Sequence, residues 1–151
     1  MDVCVIFLVG GDMPSMVYNY AKQAFVDGTL DWDNPAQNFS VLLVNPTYSP
    51  SQSHLHVSDI ASYEVSGTGY SRKPLSNRTV TIDTAANRAI LSADPVTWTA
   101  INAGNVGGIV VYYDTGSDST SKLIAFVQLP TISTNGSDLT IAWPGGVLYV
   151  Q

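Results

Sequence analysis

The residues with the clearest catalytic potential lie in "VVYYDTGS", residues 110–117, where an Asp-Thr-Gly triplet follows an apolar stretch. Aspartic proteases use such a triplet, but their catalytic aspartate shares a proton with a second one, which requires a second copy of the motif or a homodimer. This chain has no second Asp-Thr-Gly, and "DTGSDSTS" consists of turn-forming residues between two strand-like segments. We therefore predict that Asp114 lies in a hairpin turn and is not catalytic.

Two histidines two positions apart could bind zinc. His54 and His56 in "SHLHVSD" would point the same way if the segment were extended, and Asp59 is near. No further ligand follows at a suitable spacing. The acidic segment "DGTLDWD" resembles a calcium loop but lacks the alternating acidic spacing and the terminal glutamate. We predict no metal and no cofactor, with ordinary loop roles for both histidines.

Other catalytic arrangements are missing from the sequence. It contains neither a nucleophile elbow nor a phosphate-binding loop. Glu64 is the only glutamate, so a carboxylate pair for sugar hydrolysis would need an aspartate that the sequence does not point to. We therefore predict that the protein is not an enzyme.

The charge content restricts the possible partners. The 151 residues carry a net charge of −6, and only 12% are charged, about half the usual share of roughly 25%. Four of the six basic residues fall between positions 72 and 88, too few for a track along phosphates. The apolar run "VCVIFLV" is too short to span a bilayer. We expect no nucleic-acid partner, no membrane, and a surface that is partly covered by another protein.

One amphipathic helix is predicted near the N-terminus, over about residues 15–27. Ser15 is a suitable N-cap and Gly28 a suitable C-terminal stop. Between them an apolar stripe recurs at helical spacing, formed by Val17, Tyr20, Ala21, Ala24 and Phe25. A helix of about three turns must dock on something to be stable.

The remaining segments are typical of β-strands. They cover residues 2–9, 38–45, 78–83, 88–93, 95–101, 107–113, 122–129, 138–143 and 147–151. Short strands separated by turn residues predict a mainly β protein with a single antiparallel β-sandwich, jelly-roll-like or barrel domain. We assign residues 1–151 to one domain, with residues 1–14 as a possible N-terminal arm.

The first strand is apolar on both faces. Val3, Val5 and Phe7 share one face with Val9, and the other face is also apolar. An exposed edge of this kind invites aggregation, so the strand should be covered, either at the centre of its own sheet or between subunits. We slightly favour the second, by strand addition to a neighbour.

The chain is rich in aromatic residues for its size, with eight tyrosines and three tryptophans. Such residues could form a glycan-binding platform or a protein interface, or could simply fill the core. The long loop 46–59 contains two prolines, and long loops are often interface-forming. From these features we select as interface candidates Val3, Val5, Phe7, Tyr48, His54, His56 and Tyr70.

Several segments together resemble a family of small virion proteins of tailed bacteriophages. They are "YNYAKQAFVDGTLDWDNPAQNFSVLLVNPTY", "HVSDIASYE", "TGYSRKPLSNRTVTID", "ADPVTWTA", "GGIVVYYDTGSDSTSKLIAFV" and "TNGSDLTIAWPGG". The resemblance covers about residues 17–150 through many short motifs. It begins near the helix, so residues 1–15 would be an addition.

The resemblance implies a structural role rather than a reaction. It implies a capsid decoration (cement) protein that is made in the cytoplasm of the host bacterium and binds the outer capsid surface. Its expected partners are the major capsid protein and further copies of itself, with a trimer as one possibility. The alternatives are a tail or head–tail connector component, or a glycan-binding adhesion module on the virion.

Overall fold

The computed structural model describes residues 3–7, for which it gives the backbone, and residues 16–150. The strands are β1 (Val3–Phe7), β2 (Met16–Val17), β3 (Phe39–Val44), β4 (Lys73–Pro74), β5 (Thr79–Asp83), β6 (Arg88–Ser92), β7 (Val96–Trp98), β8 (Asn105–Tyr113), β9 (Lys122–Ser133), β10 (Asp138–Ala142) and β11 (Leu148–Val150). One α-helix, α1 (Asn19–Val26), follows β2, and two short 3₁₀ turns lie at Val57–Asp59 and Ala61–Tyr63. The prediction of a mainly β chain is confirmed.

The strands form three sheets. The central sheet has the order β2-β9-β8-β3-β4, the outer sheet β11-β6-β5 and the third sheet β1-β10-β7. All three contribute to one large core, which gives a sandwich-like arrangement, and the sheets do not close into a barrel. The predicted hairpin around residues 84–87 is confirmed, because β5 and β6 pair antiparallel from Asp83↔Arg88 to Thr79↔Ser92.

The central sheet is buried on both faces. All six residues of β3 are buried, and they alternate between two apolar clusters. Phe39, Val41 and Leu43 face the large core, which the helix and the other two sheets help to fill. Leu42 and Val44 face a second cluster, to which the long loop contributes buried side chains. A strand covered on both faces reads as a continuous apolar run, as "FSVLLV" does.

The helix packs on its own chain. Ala21 and Ala24 are buried in the large core, so the apolar stripe serves the fold of this domain. The predicted end is correct, since Gly28 follows with a φ of +80°. The predicted start is too early, because Met16 and Val17 pair with β9 as a short strand instead.

The helix start is fixed by a distant residue rather than by a local cap. Gln52, in the long loop, accepts a hydrogen bond from the backbone N–H of Asn19 through Oε1 at 2.7 Å. It donates one from Nε2 to the Val17 carbonyl at 3.0 Å. Ser15, the predicted N-cap, lies outside the described residues.

The first strand does not have the central place in its own sheet that was one of the two placements predicted for it. β1 pairs in parallel with β10 of the same chain, from Val3↔Asp138 to Phe7↔Ala142. Among the described strands it therefore occupies the edge of the third sheet rather than its centre. A parallel partner was also not expected in a sheet predicted to be antiparallel. Whether a neighbouring subunit covers its outer edge stays a prediction.

Candidate functional site

The long segment between β3 and β4 holds four of the predicted interface residues. Tyr48, His54, His56 and Tyr70 all lie in it, and it packs against the loop between β8 and β9. Val57 donates its backbone N–H to the Ser121 carbonyl, and Ser58 donates to the Asp118 carbonyl, at 3.0 and 3.1 Å. These two loops form the part of the molecule with the densest side-chain hydrogen bonding, and we treat them as the candidate site. Val3, Val5 and Phe7 belong to β1, far along the chain from this assembly.

Tyr48 belongs to the core rather than to an exposed surface, which corrects its selection as an interface residue. It is 7% exposed and packs on Tyr63 and Phe126, with ring centroids 5.1 and 5.2 Å away. Its hydroxyl lies 2.6 Å from the Tyr18 hydroxyl and 3.1 Å from Nδ1 of His54. The three side chains form one hydrogen-bonded row from the buried interior towards the loop.

Burial keeps both phenols in this row neutral. It is the largest cause that raises the pKa of Tyr18 well above its ordinary value, and the hydrogen bond to Tyr48 adds to it. Burial also raises the pKa of Tyr48, although the bond to Tyr18 acts in the opposite direction. Neither phenol is a base near neutral pH, so the row fastens the loop to the start of α1 rather than moving a proton.

His56 has a different partner from His54, so the two do not form a pair. Nζ of Lys122 lies 2.7 Å from Nε2 of His56. A lysine ammonium only donates, so Nε2 of His56 is the acceptor of this bond. No group of three or more His, Cys, Asp or Glu side chains that could hold a metal occurs within residues 16–150 as the structure describes them.

Asp59, the third member of the predicted histidine segment, fastens the loop backbone. Its Oδ2 accepts hydrogen bonds from the N–H groups of Leu55 and His56, each at 2.9 Å. These bonds stabilise the carboxylate and lower its pKa.

Arg72 joins the two loops and is the main charged element of the site. Its Nε and Nη2 donate to the two oxygens of Glu64 at 2.8 and 2.6 Å. Its Nη1 and Nη2 donate to the two oxygens of Asp118 at 2.6 and 3.0 Å. The guanidinium also lies over the Tyr112 ring, 5.7 Å from its centroid. A planar fork that is bidentate to two carboxylates fixes both partners in position.

The charges within this cluster shift each other's protonation. Hydrogen bonds to Glu64 and then to Asp118 raise the pKa of Arg72 above its already high ordinary value. The hydrogen bond from Arg72 lowers the pKa of Asp118. Arg72 and Asp118 therefore stay charged at neutral pH.

Tyr70, a half-buried residue, is part of the same network, and its selection as an interface residue stays a prediction. Its hydroxyl donates to Oε1 of Glu64 at 2.7 Å and accepts from the N–H of Leu43 at 3.2 Å. Burial and the Glu64 carboxylate raise the pKa of this phenol, so it remains a donor. Tyr70 thus ties the Arg72 cluster to β3 of the central sheet.

The Asp-Thr-Gly triplet lies in the loop after β8, as predicted. Asp114 accepts from the Gly116 N–H at 2.9 Å and from the Ser40 hydroxyl at 3.1 Å, so both carboxylate oxygens have partners within the chain. An open groove of about 640 Å³ lies beside it. Its lining consists of Asn38, Ser40, Pro74, Tyr113, Asp114, Thr115 and Gly116.

The two other arginines also fasten segments of the fold. Arg78 donates to four backbone carbonyls, those of Trp32, Asn34, Leu75 and Gln37, at 2.6–3.1 Å. Arg88 donates from Nε to Asp83 at 3.0 Å and stacks on the Tyr149 ring. All three arginines of the chain therefore act inside the fold.

Sequence reasoning did not single out Arg72, Glu64 and Asp118. Glu64 was noticed only as the sole glutamate, and Arg72 only as one of the few cations. In a chain this poor in charge, pairing between the few charged side chains was the available signal. Which charged side chains pair depends on a contact between two loops, since Arg72 and Asp118 are 46 positions apart in the sequence.

The two loops joined by Arg72 are suited to holding a rigid surface.

No family model, no curated protein and no solved structure matches the chain. Within the residues that the structure describes, none of the helices has the length and apolar character needed to cross a membrane.

Proposed function

We propose that this chain is a non-enzymatic structural protein of a bacteriophage virion, specifically a capsid decoration protein that binds the outer capsid surface and stabilises the head. The proposal rests first on the resemblance of residues 17–150 to small virion proteins of tailed phages. Its partners would be the major capsid protein and other copies of itself. It would be made in the cytoplasm of the host bacterium and be found on the virion.

The residues of that resemblance have structural roles in this fold. Trp32 of the "Leu-Asp-Trp" motif and Trp98 of the "Val-Thr-Trp" motif are 2% and 0% exposed, and each donates its indole N–H to a backbone carbonyl. The "Val-Leu-Leu-Val" motif is the buried strand β3. In this chain these motifs therefore build the core, which supports a structural reading of the resemblance.

The observation that carries the structural role is the use of the charged side chains. Arg72 holds two loops together through four hydrogen bonds, and Arg78 gathers four carbonyls. A long loop fastened in this way is stiff and can present a defined surface to a lattice. Because the guanidinium groups are already engaged, they are not available to bind an anionic ligand.

Mass spectrometry of virions purified from the phage that encodes the chain tests the proposal. We expect hundreds of copies per particle, and we expect particles lacking the protein to lose their DNA at lower temperature than particles to which it is added back. A handful of copies would instead favour the tail or head–tail connector. Absence from the virion would overturn the structural role altogether.

A glycan-binding module is the second candidate, and one observation bears on it. The open groove beside Asp114 combines the Tyr113 ring with polar groups of Asn38 and Thr115, a composition that sugars can use. The expected tryptophan platform is not formed, since Trp32, Trp98 and Trp143 are all buried. A glycan array probed with the purified chain should be blank for a decoration protein, while binding that Tyr113→Ala removes would favour adhesion.

A further inference from the structure

The outer sheet has an apolar face that is partly buried in the large core and partly exposed. The residue pairs of its three strands form two rows across this face, Val80–Leu91–Leu148 and Ile82–Ala89–Val150. Leu91 and Leu148 are buried in the large core. In contrast, Val80 is 45%, Ile82 81% and Val150 47% exposed.

This concentration of exposed apolar side chains is specific to the outer sheet. Within the described residues, only four large hydrophobic side chains are exposed, and three of them lie on this one face. The fourth is Val26, at the end of α1. Single exposed hydrophobic residues are ordinary, but several on one face mark a surface that another molecule covers.

Within the residues that the structure describes, the β5 edge of the outer sheet lacks the lysine, proline or bulge that usually protects an edge from strand addition. β5 is the edge strand, and it pairs with β6 over five residues without a bulge. The sequence of β5, "TVTID", contains no lysine or proline, and its one charge, Asp83, is paired with Arg88. Edge strands of soluble proteins are usually protected by lysine, proline or bulges.

The edge strand β4 of the central sheet shows the contrast. It consists of Lys73 and Pro74 only, the two residue types that block strand addition most effectively. The chain therefore protects the edge at β4 with its sequence, whereas no other described strand pairs with the outer edge of β5.

We propose that β5 pairs antiparallel with β5 of a second copy of this chain, about a two-fold axis at Thr81. This inference does not depend on the proposed virion role. The two outer sheets would join into one six-stranded sheet with the order β11-β6-β5-β5-β6-β11. A two-fold contact of this kind uses the same surface on both copies and closes at two chains.

The sequence of β5 is complementary to itself in this register. With Thr81 opposite Thr81, Val80 lies opposite Ile82 of the second copy, and Thr79 lies opposite Asp83. Residues directly opposite each other share a face of the sheet, so the apolar rows of the two copies become continuous. Each Asp83 carboxylate meets a threonine hydroxyl rather than a second carboxylate, so no like charges oppose each other.

Other registers fit less well. A shift by one residue would place the apolar side chains of one copy on the polar face of the other. A shift by two residues towards the N-terminus would bring Arg78 opposite Ile82, although Arg78 already donates to four backbone carbonyls of its own chain. The second copy is therefore favoured over an unrelated strand, because β5 supplies both halves of a matched pair.

Sedimentation velocity of the full chain over a range of concentrations tests the proposal. We expect a monomer–dimer equilibrium in which Ile82→Lys raises the dimer dissociation constant by roughly tenfold or more, since it places a charge on the apolar row at the new contact. The matched control is Val26→Lys, which changes an equally exposed valine on the helix and should leave the equilibrium unchanged. A chain that stays monomeric at all concentrations would overturn the proposal, and so would equal effects of the two variants.

Disulfide trapping tests the register independently of the sedimentation measurements on Ile82→Lys and Val26→Lys. Thr81→Cys should give a covalent dimer under mild oxidation, because opposite residues in an antiparallel pair have Cβ atoms about 4.5–5.5 Å apart. Thr79→Cys is the matched control, since the two copies of residue 79 would lie four positions, about 13 Å, apart along the strands. The unchanged chain, which retains Cys4, sets the background. Trapping at residue 79 but not at 81 would rule out this register.

Amide hydrogen exchange distinguishes covering of the β5 edge by a second copy from covering by another segment of the same chain. In the proposed dimer, protection of residues 79–83 rises with protein concentration. Full protection at concentrations where the chain is monomeric would show that another segment of the same chain covers β5, which would contradict the proposal. All of these measurements use the purified chain without capsids, so their failure would leave the proposed virion role standing.

Discussion

The central sheet and the outer sheet use similar residues in opposite environments. β3 is made of six residues that are all buried, whereas four of the five residues of β5 are exposed. Both strands contain β-branched residues, which favour extended backbone in either setting. The two strands differ in what packs against them. The large core covers one face of β3 and the long loop covers the other. Among the described strands, β5 pairs only with β6. The comparison shows that the stability of this protein is concentrated in the central sheet and its covering loops, and that the outer sheet is available for contacts.

The largest effect should come from Trp98 in β7 of the third sheet, which packs in the large core that one face of β3 also lines. Trp98→Ala removes a fully buried side chain of the large core together with its hydrogen bond to the Ser71 carbonyl at 2.6 Å. We expect a loss of about 3–5 kcal/mol in the free energy of unfolding. Ile82→Ala in the outer sheet should change it by less than about 0.5 kcal/mol, since surface substitutions rarely do more.

Urea denaturation of both variants, at a protein concentration low enough to keep the chain monomeric, measures the two values. Similar losses for Trp98→Ala and Ile82→Ala would show that the exposed face of the outer sheet is as important to stability as the buried core, which would contradict the comparison.

A glycine substitution probes how tightly the covering loop sits on the central sheet. A Cβ added to Gly107 in β8 would lie against the backbone of Pro46, 2.8 Å from its nitrogen, at the start of the long loop. Overpacking against backbone typically costs about 1–3 kcal/mol, so we expect Gly107→Ala to be destabilised by that amount.

Gly145→Ala is the matched control for this variant, because nothing lies within 4 Å of the corresponding position. Thermal unfolding followed by circular dichroism should separate the two variants clearly. An unchanged melting temperature for Gly107→Ala would mean that the loop can move away from the sheet without loss.

Removal of the arginine between the loops should have a moderate effect. Arg72→Met keeps much of the side-chain length but leaves Glu64 and Asp118 without their partner. Because the cluster is partly exposed, we expect a loss of about 1–2 kcal/mol, between that of a surface ion pair and that of a buried one. Lys22→Met, which removes an exposed charge from the helix, is the control and should be close to neutral.

The same variant should change how stability depends on pH. Arg72 holds the pKa of Asp118 below its value in the unfolded chain, which is about 3.9. The stability from this interaction is therefore fully present above the unfolded value and is lost as the pH falls through the folded one. Urea denaturation between about pH 5 and pH 2 should show a shallower loss of stability for Arg72→Met than for the unchanged chain, and parallel curves would contradict this role for Arg72.

The smallest effect is expected at Asp114. Asp114→Asn keeps an oxygen that can accept from the Gly116 N–H and a group near the Ser40 hydroxyl. We expect a change in unfolding free energy of less than about 1 kcal/mol and unchanged binding to capsids. Loss of folding on this substitution would show that the carboxylate does more than hold a turn.

Local sequence patterns predicted the strands closely. The predicted segments 38–45 and 138–143 are β3, Phe39–Val44, and β10, Asp138–Ala142. The two-residue strands β2 and β4 were not predicted, because strands that short have no periodicity of their own. The helix end at Gly28 was predicted, whereas its start was not, because pairing of Met16 and Val17 with β9 overrides their helical spacing.

The candidate site was only partly visible in the sequence. The turn at Asp114 was predicted from residue types alone, whereas an interface role for the long loop stays a prediction. The selection of Tyr48 overlooked that a tyrosine can be buried when its hydroxyl finds a partner, as it does here. The half-buried Tyr70 stays an interface candidate. Pairing of Arg72 with Glu64 and Asp118 could not be predicted, since nothing local indicates which loops meet.

The sequence by itself determined the class of the fold, the position of most strands, the hairpin between β5 and β6 and the end of the helix. These features depend on the alternation of apolar residues and on turn chemistry within a few residues, which any short window contains. Only the tertiary structure decided that β1 pairs in parallel with β10, that the long loop covers the second face of the central sheet, and that Val80 and Ile82 remain exposed. Burial and pairing depend on which segments meet across the whole chain, and that is settled by the packing of all three sheets together.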